Sequence, residues 1–436
     1  MPIDLFSFRG FTFFMELTMN QTIKKIGLLP FLLLPFYGPA ANAAADLSNN
    51  QIANLQSDET KTYVRCWYRP SGNHDNASTS WEWALKDNGS YYSIKGYWYS
   101  STSWKNMFYT DTDQSEIRER CEATLNADYD GADITYFAAD TRFSYNHTIW
   151  TNDTASNDDN TSKINKIVTF GDSISDTGNI YNASQWLFPN DKTWFLGHFS
   201  NGLVWNEYLA LDKNLPNYNW AVGGAAGSDQ YVVLTGLTGQ VDSYVEYMQL
   251  AKNYDTKDTL VTLEIGLNDF VNYDRSVAEV SADFTESVDK LVDNGIENMV
   301  ILALVDASIA PQFKYAEAGK AEEVKAKIVE YNAFVEEQVA MYQAQGLNFQ
   351  LYDTYSLFED VVATPSNYGL RNTTDSCLDI NQSSSGDYLK SHDLRSDCDT
   401  YGSDTYMFWG VTHPTTQTHR IIADEVIQNV LPSFNF

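Results

Sequence analysis

The sequence predicts an α/β domain built on a parallel sheet covered on both faces, preceded by a small β-rich domain. Three observations carry this. From Ile164 onward, short apolar runs rich in β-branched residues alternate with long helical stretches, the pattern of strands joined by crossover helices. Upstream, residues 44–160 are dense in Trp, Tyr, Ser, Thr and Asn and alternate with a period of two. Between them, Asn152–Thr161 is almost wholly Asn, Asp, Ser and Thr, a linker composition.

The first 43 residues belong to neither domain. From Met19 the chain has Lys24 and Lys25, an apolar run from Ile26 to Tyr37, then Ala41-Asn42-Ala43. A charged start, a short apolar core and an A-x-A site predict a secretory signal peptide cleaved after Ala43, with Met19 as the true start. The apolar run, broken by Pro30 and Pro35, is too short to span a bilayer. The chain is therefore expected to be exported, extracellular and monomeric. A formal net charge of −30 argues against nucleic acid or anionic lipid as partner. No protein partner is evident.

Four cysteines are present. They allow three connectivities, of which Cys66 with Cys121 and Cys377 with Cys398 is the simplest, each pair closing one loop within one region. No C-x-x-C or zinc-like spacing occurs, so both pairs read as structural in an oxidising compartment.

In the small domain, Tyr91-Tyr92-Ser93-Ile94 and the run to Tyr109 read as short strands and turns, with one helix over Gln114 to Leu125. Its aromatic residues are expected in its core in preference to a lipid or sugar site. In the second region the strands are expected at Ile167–Phe170, Leu260–Ile265, Met299–Leu304 and Phe349–Tyr352. Helices are expected at Val277–Asp293, Ala316–Gln345 and Thr415–Leu431. Asn372 to Thr405, Asp- and Ser-rich, is expected as a long loop held by Cys377 and Cys398.

The chemistry gathers at strand ends, where open α/β sheets bind ligands. Ile167-Val168-Thr169-Phe170 leads into Gly171-Asp172-Ser173-Ile174, placing Ser173 just past a strand as nucleophile or as a helix cap. A serine nucleophile needs a histidine base and donors for the developing oxyanion. Of six histidines, His413 precedes Pro414 and the last helix, Pro being favoured at a first helical position. His419 reads as packing within that helix. His74, His147, His198 and His392 read as surface or loop residues. Asn219-Trp220-Ala221-Val222-Gly223-Gly224-Ala225 offers a backbone amide at a glycine turn. Leu263-Glu264-Ile265-Gly266-Leu267-Asn268-Asp269 offers the Asn268 carboxamide or an Asx cap.

With Ser, Gly, Asn and His delivered in that order, the region from Ile164 to Phe436 resembles the SGNH, or GDSL-type, hydrolases. Phe170 to Asn179 matches their first block, with Ile174 where leucine is usual. Gly224, Asn268 and His413 match the later ones. The resemblance implies a flavodoxin-like three-layer α/β fold, Ser173 as nucleophile and His413 as base. It implies an oxyanion hole of the Ser173 and Gly224 amides with the Asn268 side chain. The aromatic first domain, Gly197–Ala210 and W-G-V-T-H-P-T are similar to one branch, the secreted haemolytic phospholipases of marine Gram-negative bacteria. That implies cleavage of fatty-acyl esters of phosphatidylcholine and its lyso form in a zwitterionic membrane, with haemolysis. The competing readings are an esterase acting on glycan or short-chain esters and a non-catalytic membrane-binding haemolysin.

One position departs from the family. The usual Asp three residues before the histidine is Gly410 here. Its role falls to a backbone carbonyl, to a remote carboxylate such as Asp404, or to an anion in the space left by the glycine, with chloride favoured. No metal or other cofactor is required by these residues.

Overall fold

The computed structural model describes residues 59–99, 107–125, 133–139, 145–151, 163–230, 234–251, 254–382 and 385–436. The expected signal peptide and the linker Asn152–Thr161 lie outside them.

The first region comprises β1 (Thr60–Tyr68), β2 (Ser80–Trp83), β3 (Ser93–Tyr99), β4 (Met107–Tyr109), α1 (Gln114–Leu125), β5 (Thr135–Ala139) and β6 (Thr148–Trp150). The sheet runs β2-β1-β3-β4-β6, with β5 also on β1. Val64, Ile94, Phe108 and Ile149 pack beneath α1 through Ile117, and the Cys66–Cys121 disulfide ties α1 to β1. Several aromatic residues expected inside this small core instead face the next domain. Trp150 stacks on Tyr218 at 4.1 Å, and the Tyr109 hydroxyl donates to the Tyr247 carbonyl at 3.0 Å. A small sheet has little interior of its own, so its large rings are buried against its neighbour.

The second region runs β7 (Lys166–Gly171), α2 (Asn179–Ala183), α3 (Trp205–Lys213), β8 (Asn217–Asn219), α4 (Leu237–Met248), β9 (Thr259–Glu264), α5 (Leu267–Val271) and α6 (Val277–Asp293). It continues with β10 (Asn298–Leu302), α7 (Lys320–Ala344), β11 (Asn348–Tyr352), α8 (Thr354–Ala363), β12 (Asn372–Ser376), α9 (Ser396–Tyr401), β13 (Tyr406–Phe408) and α10 (Thr416–Asn429). Five strands pair in the order β11-β10-β9-β7-β8, and every pair is parallel. Counted from β7, that is the 2-1-3-4-5 flavodoxin-like order, with its switch point between β7 and β9. Both these strands are buried along their whole length, which is why they read as continuous apolar runs.

Alternate strand residues feed two cores. Val168, Val261 and Ile301 join α4, α6 and α7 on one face, while Ile167, Leu260 and Val300 join α3, α8 and α10 on the other. Helix α6 shows the local logic. Ser276 accepts from the Glu279 amide at 3.3 Å and Glu279 accepts from the Ser276 amide at 2.9 Å, a reciprocal cap. Val280, Phe284, Val288 and Leu291 then form the buried stripe. Each contributes roughly 1.5–3 kcal/mol by leaving water, and Phe284→Ala would cost about 3–5 kcal/mol.

Two expectations are corrected. The sheet has a further edge strand, β8, whose Asn-Tyr-Asn sequence carries no apolar run. The segment from Asn372 to Thr405 is not a plain loop. It contains β12, paired in parallel with β13, a 3-10 turn at Ser385–Leu389 and α9, with Cys377–Cys398 fastening β12 to α9.

Candidate active site

Strand β7 ends at Gly171, whose amide and carbonyl are both held by the buried Gln240 carboxamide, at 3.0 and 2.9 Å. The chain then turns sharply. The Ser175 amide donates to the Asp172 carbonyl at 3.1 Å and the Ile174 amide to Asp172 Oδ1 at 3.0 Å. Ser173 is thereby presented at the switch point of the sheet, and its Oγ lies 2.7 Å from His413 Nε2.

His413 arrives from the opposite end of the chain. Pro414 bridges back to Phe408, and the Trp409 amide donates to the His413 carbonyl at 2.8 Å. The Thr415 hydroxyl then caps α10 by accepting from the Thr418 amide. The imidazole packs against the Phe199 ring at 4.9 Å and edge-on to Trp194 at 6.2 Å. Burial, with no carboxylate beside the ring among the described residues to offset it, pushes its pKa down to about 3. The ring is therefore neutral at neutral pH.

The partner of His413 Nδ1 is the Tyr388 hydroxyl, at 2.9 Å. For Nε2 to take a proton from Ser173, Nδ1 must carry one, so the phenol oxygen is then the acceptor. Burial pushes the phenol above its usual range, so Tyr388 stays neutral. Two expectations about this corner change. Asp404 is spoken for by His74 Nδ1 at 3.0 Å. The volume left by Gly410 is also filled, since a Cβ there would lie 2.7 Å from Trp194 Cη2.

On the oxyanion side, Gly224 has φ +85°, a conformation that favours glycine. A Cβ there would meet nothing nearer than Leu234 at 3.6 Å. The preceding Gly223 amide donates to Asp176 Oδ2 at 2.7 Å, while Asp176 Oδ1 accepts from the Gly178 and Asn179 amides at 2.9 and 2.6 Å. One carboxylate thus locks the serine turn to the glycine turn. The Asn268 Nδ2 donates to Asp172 Oδ2 at 3.1 Å and to the Ala225 carbonyl at 3.0 Å. Both its hydrogens are engaged, so contact with an oxyanion requires sharing one of them. Beneath lies Glu264, buried and without a donor on either oxygen among the described residues. Burial and the neighbouring Asp172 raise its pKa, which favours the protonated acid.

Ser173, Gly224, Asn268 and His413 line one cavity of about 180 Å³. One wall is apolar, with Phe188, Leu234, Val271, Val305 and Phe358. Gly410 is buried and is not part of the lining. Tyr388, Trp194 and Gln240 also belong to the site, and no motif in the sequence marks them. His198 lies in a loop, one of the two places expected for it, but is fully buried and bonded through Nε2 to Glu207 at 2.9 Å. Burial alone would lower the His198 pKa, but the Glu207 carboxylate outweighs it and the net shift is upward. The signal available for it was Glu207, an acid in the first turn of α3. His419 is buried in α10, as expected. Among the described residues no cluster of side chains could hold a metal ion.

A serine–histidine pair beside a glycine amide and an asparagine, on a 2-1-3-4-5 sheet, defines an acylhydrolase of the GDSL type. The family model of GDSL-like lipases and acylhydrolases matches residues 167–426, and the chain belongs to this family of carboxylic ester hydrolases. Residues 36–152 match the amino-terminal domain of the Vibrio dual lipase/transferase. Within the family the chain is 53% identical to the thermolabile hemolysin of Vibrio parahaemolyticus serotype O3:K6, over 95% of this chain and 99% of that protein. It is 24% identical to the phosphatidylcholine-sterol acyltransferase of Aeromonas hydrophila, over 62% of this chain and 91% of that one. The solved lipase/acylhydrolase of Enterococcus faecalis aligns with 61% of this chain and 95% of its own at a TM-score of 0.33 and 14% identity.

Proposed function

We propose that this chain is a secreted phospholipase and lysophospholipase that cleaves fatty-acyl esters of phosphatidylcholine-type lipids and thereby lyses cells. The observation that carries this reading is the 2.7 Å contact between Ser173 Oγ and His413 Nε2 at the apolar wall of the cavity. The names of the two relatives, a hemolysin and a phosphatidylcholine acyltransferase, support the lipid class. The structural disulfides support export. Among the described residues no helix is long and apolar enough to cross a membrane.

In the proposed reaction Ser173 Oγ attacks the acyl carbonyl as His413 Nε2 takes its proton. The tetrahedral oxyanion is met by the Ser173 and Gly224 amides and the Asn268 carboxamide. His413 returns the proton to the departing glycerol oxygen, leaving the acyl chain on Ser173 along the apolar wall. Water, deprotonated by the same His413, then releases the fatty acid. The imidazolium formed in each step faces a phenol oxygen in place of a carboxylate. A chloride near His413 is the auxiliary proposal. The volume behind Gly410 is occupied by Trp194, but the buried Trp194 Nε1 has no hydrogen-bond partner among the described residues and is a donor suited to an anion.

Mass spectrometry of lipids after incubation with phosphatidylcholine vesicles tests the main reading. Free fatty acid with lysophosphatidylcholine or glycerophosphocholine is expected, and is lost in Ser173→Ala. Intact lipid alongside acetate release from acetylated xylan contradicts it, as does red-cell lysis by the alanine variant. Activity unchanged in chloride-free buffer removes the chloride.

A further inference from the structure

The loop that carries His413 is not braced by the hydrolase region alone. Arg69, just past β1, is fully buried. Its Nε donates to Asp133 at 2.7 Å and its Nη1 to the Asn76 carbonyl at 2.6 Å, both within the amino-terminal region. Its Nη2 crosses to the Asn201 carbonyl at 2.7 Å, and the guanidinium lies 4.7 Å over the Phe195 ring.

Asn201 is the hub of the contact. Its Oδ1 accepts from the Thr416 amide at 2.8 Å, three residues beyond His413. Its Nδ2 donates to the His74 carbonyl at 3.0 Å and to Ser403 Oγ at 3.2 Å. Beside it, Ser200 Oγ donates to the Pro414 carbonyl at 3.1 Å, and Phe199 packs on the imidazole itself. A second strap lies close by. Asp75 Oδ1 accepts from the Ser403 amide at 2.6 Å, and His74 Nδ1 meets Asp404 at 3.0 Å. The β1–β2 connection therefore grips both flanks of the segment that bears His413, at Ser403 before it and, through Asn201, at Thr416 after it.

We infer that Arg69 is a positioning residue for His413: through Asn201, the buried guanidinium sets the distance between the imidazole and Ser173, making the amino-terminal domain part of the catalytic unit. The chemistry suits this task. A guanidinium presents donors in a fixed fork, and a buried charge bound on three sides has one arrangement in which all are satisfied. A displacement of about 1 Å at a reacting pair costs on the order of 100-fold in rate. The inference rests on Ser173 and His413 being the catalytic pair.

The test uses the full chain and a soluble short-chain p-nitrophenyl ester, so that its outcome does not depend on which lipid is the natural substrate. Arg69→Met is expected to lower kcat by about 10- to 100-fold with KM unchanged, and to slow fluorophosphonate labelling of Ser173 in parallel. Because removing one partner of a buried ion pair can unfold a domain, the partly exposed Asp75 provides a second arm. Asp75→Ala is expected to lower kcat severalfold, and Asp75→Asn, which keeps the acceptor for the Ser403 amide, to restore it. Wild-type kcat in folded Arg69→Met, or equal kcat in Asp75→Ala and Asp75→Asn, overturns the inference. Ester hydrolysis persisting in Ser173→Ala overturns the catalytic pair itself, which is a different result.

Discussion

The two halves of the site are built differently. The serine turn is held by ionisable and carboxamide groups from its own domain: Gln240 on Gly171, Asp176 on Gly223, Gly178 and Asn179, and Asp172 against Asn268. The histidine is held by rings and a phenol, with no carboxylate at Nδ1, and its loop is braced from the amino-terminal domain. The difference shows which part of a nucleophilic site needs charge. The serine turn must be rigid, and buried networks provide that when every member is satisfied. In the proposed reaction the histidine cycles between neutral and charged forms, and here its surroundings favour the neutral one.

Breaking the serine half should have the largest effect. Ser173→Ala is expected to reduce kcat on the order of 10⁴- to 10⁶-fold, read with a chromogenic ester. Asn268→Ala removes an expected oxyanion donor and should cost about 10²- to 10³-fold in kcat with a smaller change in KM. On the histidine half, Tyr388→Phe loses one hydrogen bond to a group that becomes charged in the transition state. It should cost about 10- to 100-fold, and wild-type kcat in that variant would show that the phenol plays no part. Gly410→Asp, which restores the family's usual acid, is expected to lower activity because its Cβ meets Trp194 at 2.7 Å. Activity above wild type would show instead that a carboxylate is what the site lacks.

The smallest effect concerns stability. Glu264 has a pKa raised above its unfolded value by burial and by Asp172. Its protonated form therefore contributes stability that is full below about pH 4.5 and is lost as pH rises through the folded value. Glu264→Gln removes that loss, so the variant's Tm relative to wild type should climb between pH 5 and 8. A constant difference across that range would place the proton elsewhere.

How much of this was legible follows from locality. Ser173, Gly224 and Asn268 each follow a strand or turn within a few residues, so apolar runs and glycines marked them. Helix α6 was legible to both its ends because its cap and its stripe lie in one stretch of sequence. Tyr388 sits in an Asp- and Ser-rich segment with no periodicity, and it reaches His413 only because Cys377–Cys398 and the β12–β13 pair fold that segment back. Arg69 and Asn201 are 132 residues apart, and no local pattern links them. The aromatics of the first domain carried a correct signal for burial, but whether they cover their own sheet or its neighbour depends on the docking of two domains. Gly410 announced a missing acid, and its sequence position gave no sign that an indole fills the space.

The account turns on a histidine that works from a neutral, carboxylate-free setting. Imidazole NMR of histidine-labelled enzyme across pH 4 to 8 tests this most directly, with the His413 signal assigned by its loss in His413→Gln. The account predicts a His413 signal that stays in the neutral form through this range, while the Glu207-paired His198 titrates above its ordinary value. A His413 signal that titrates at or above about 6.5, the unperturbed value, would contradict it and require a carboxylate at the imidazole.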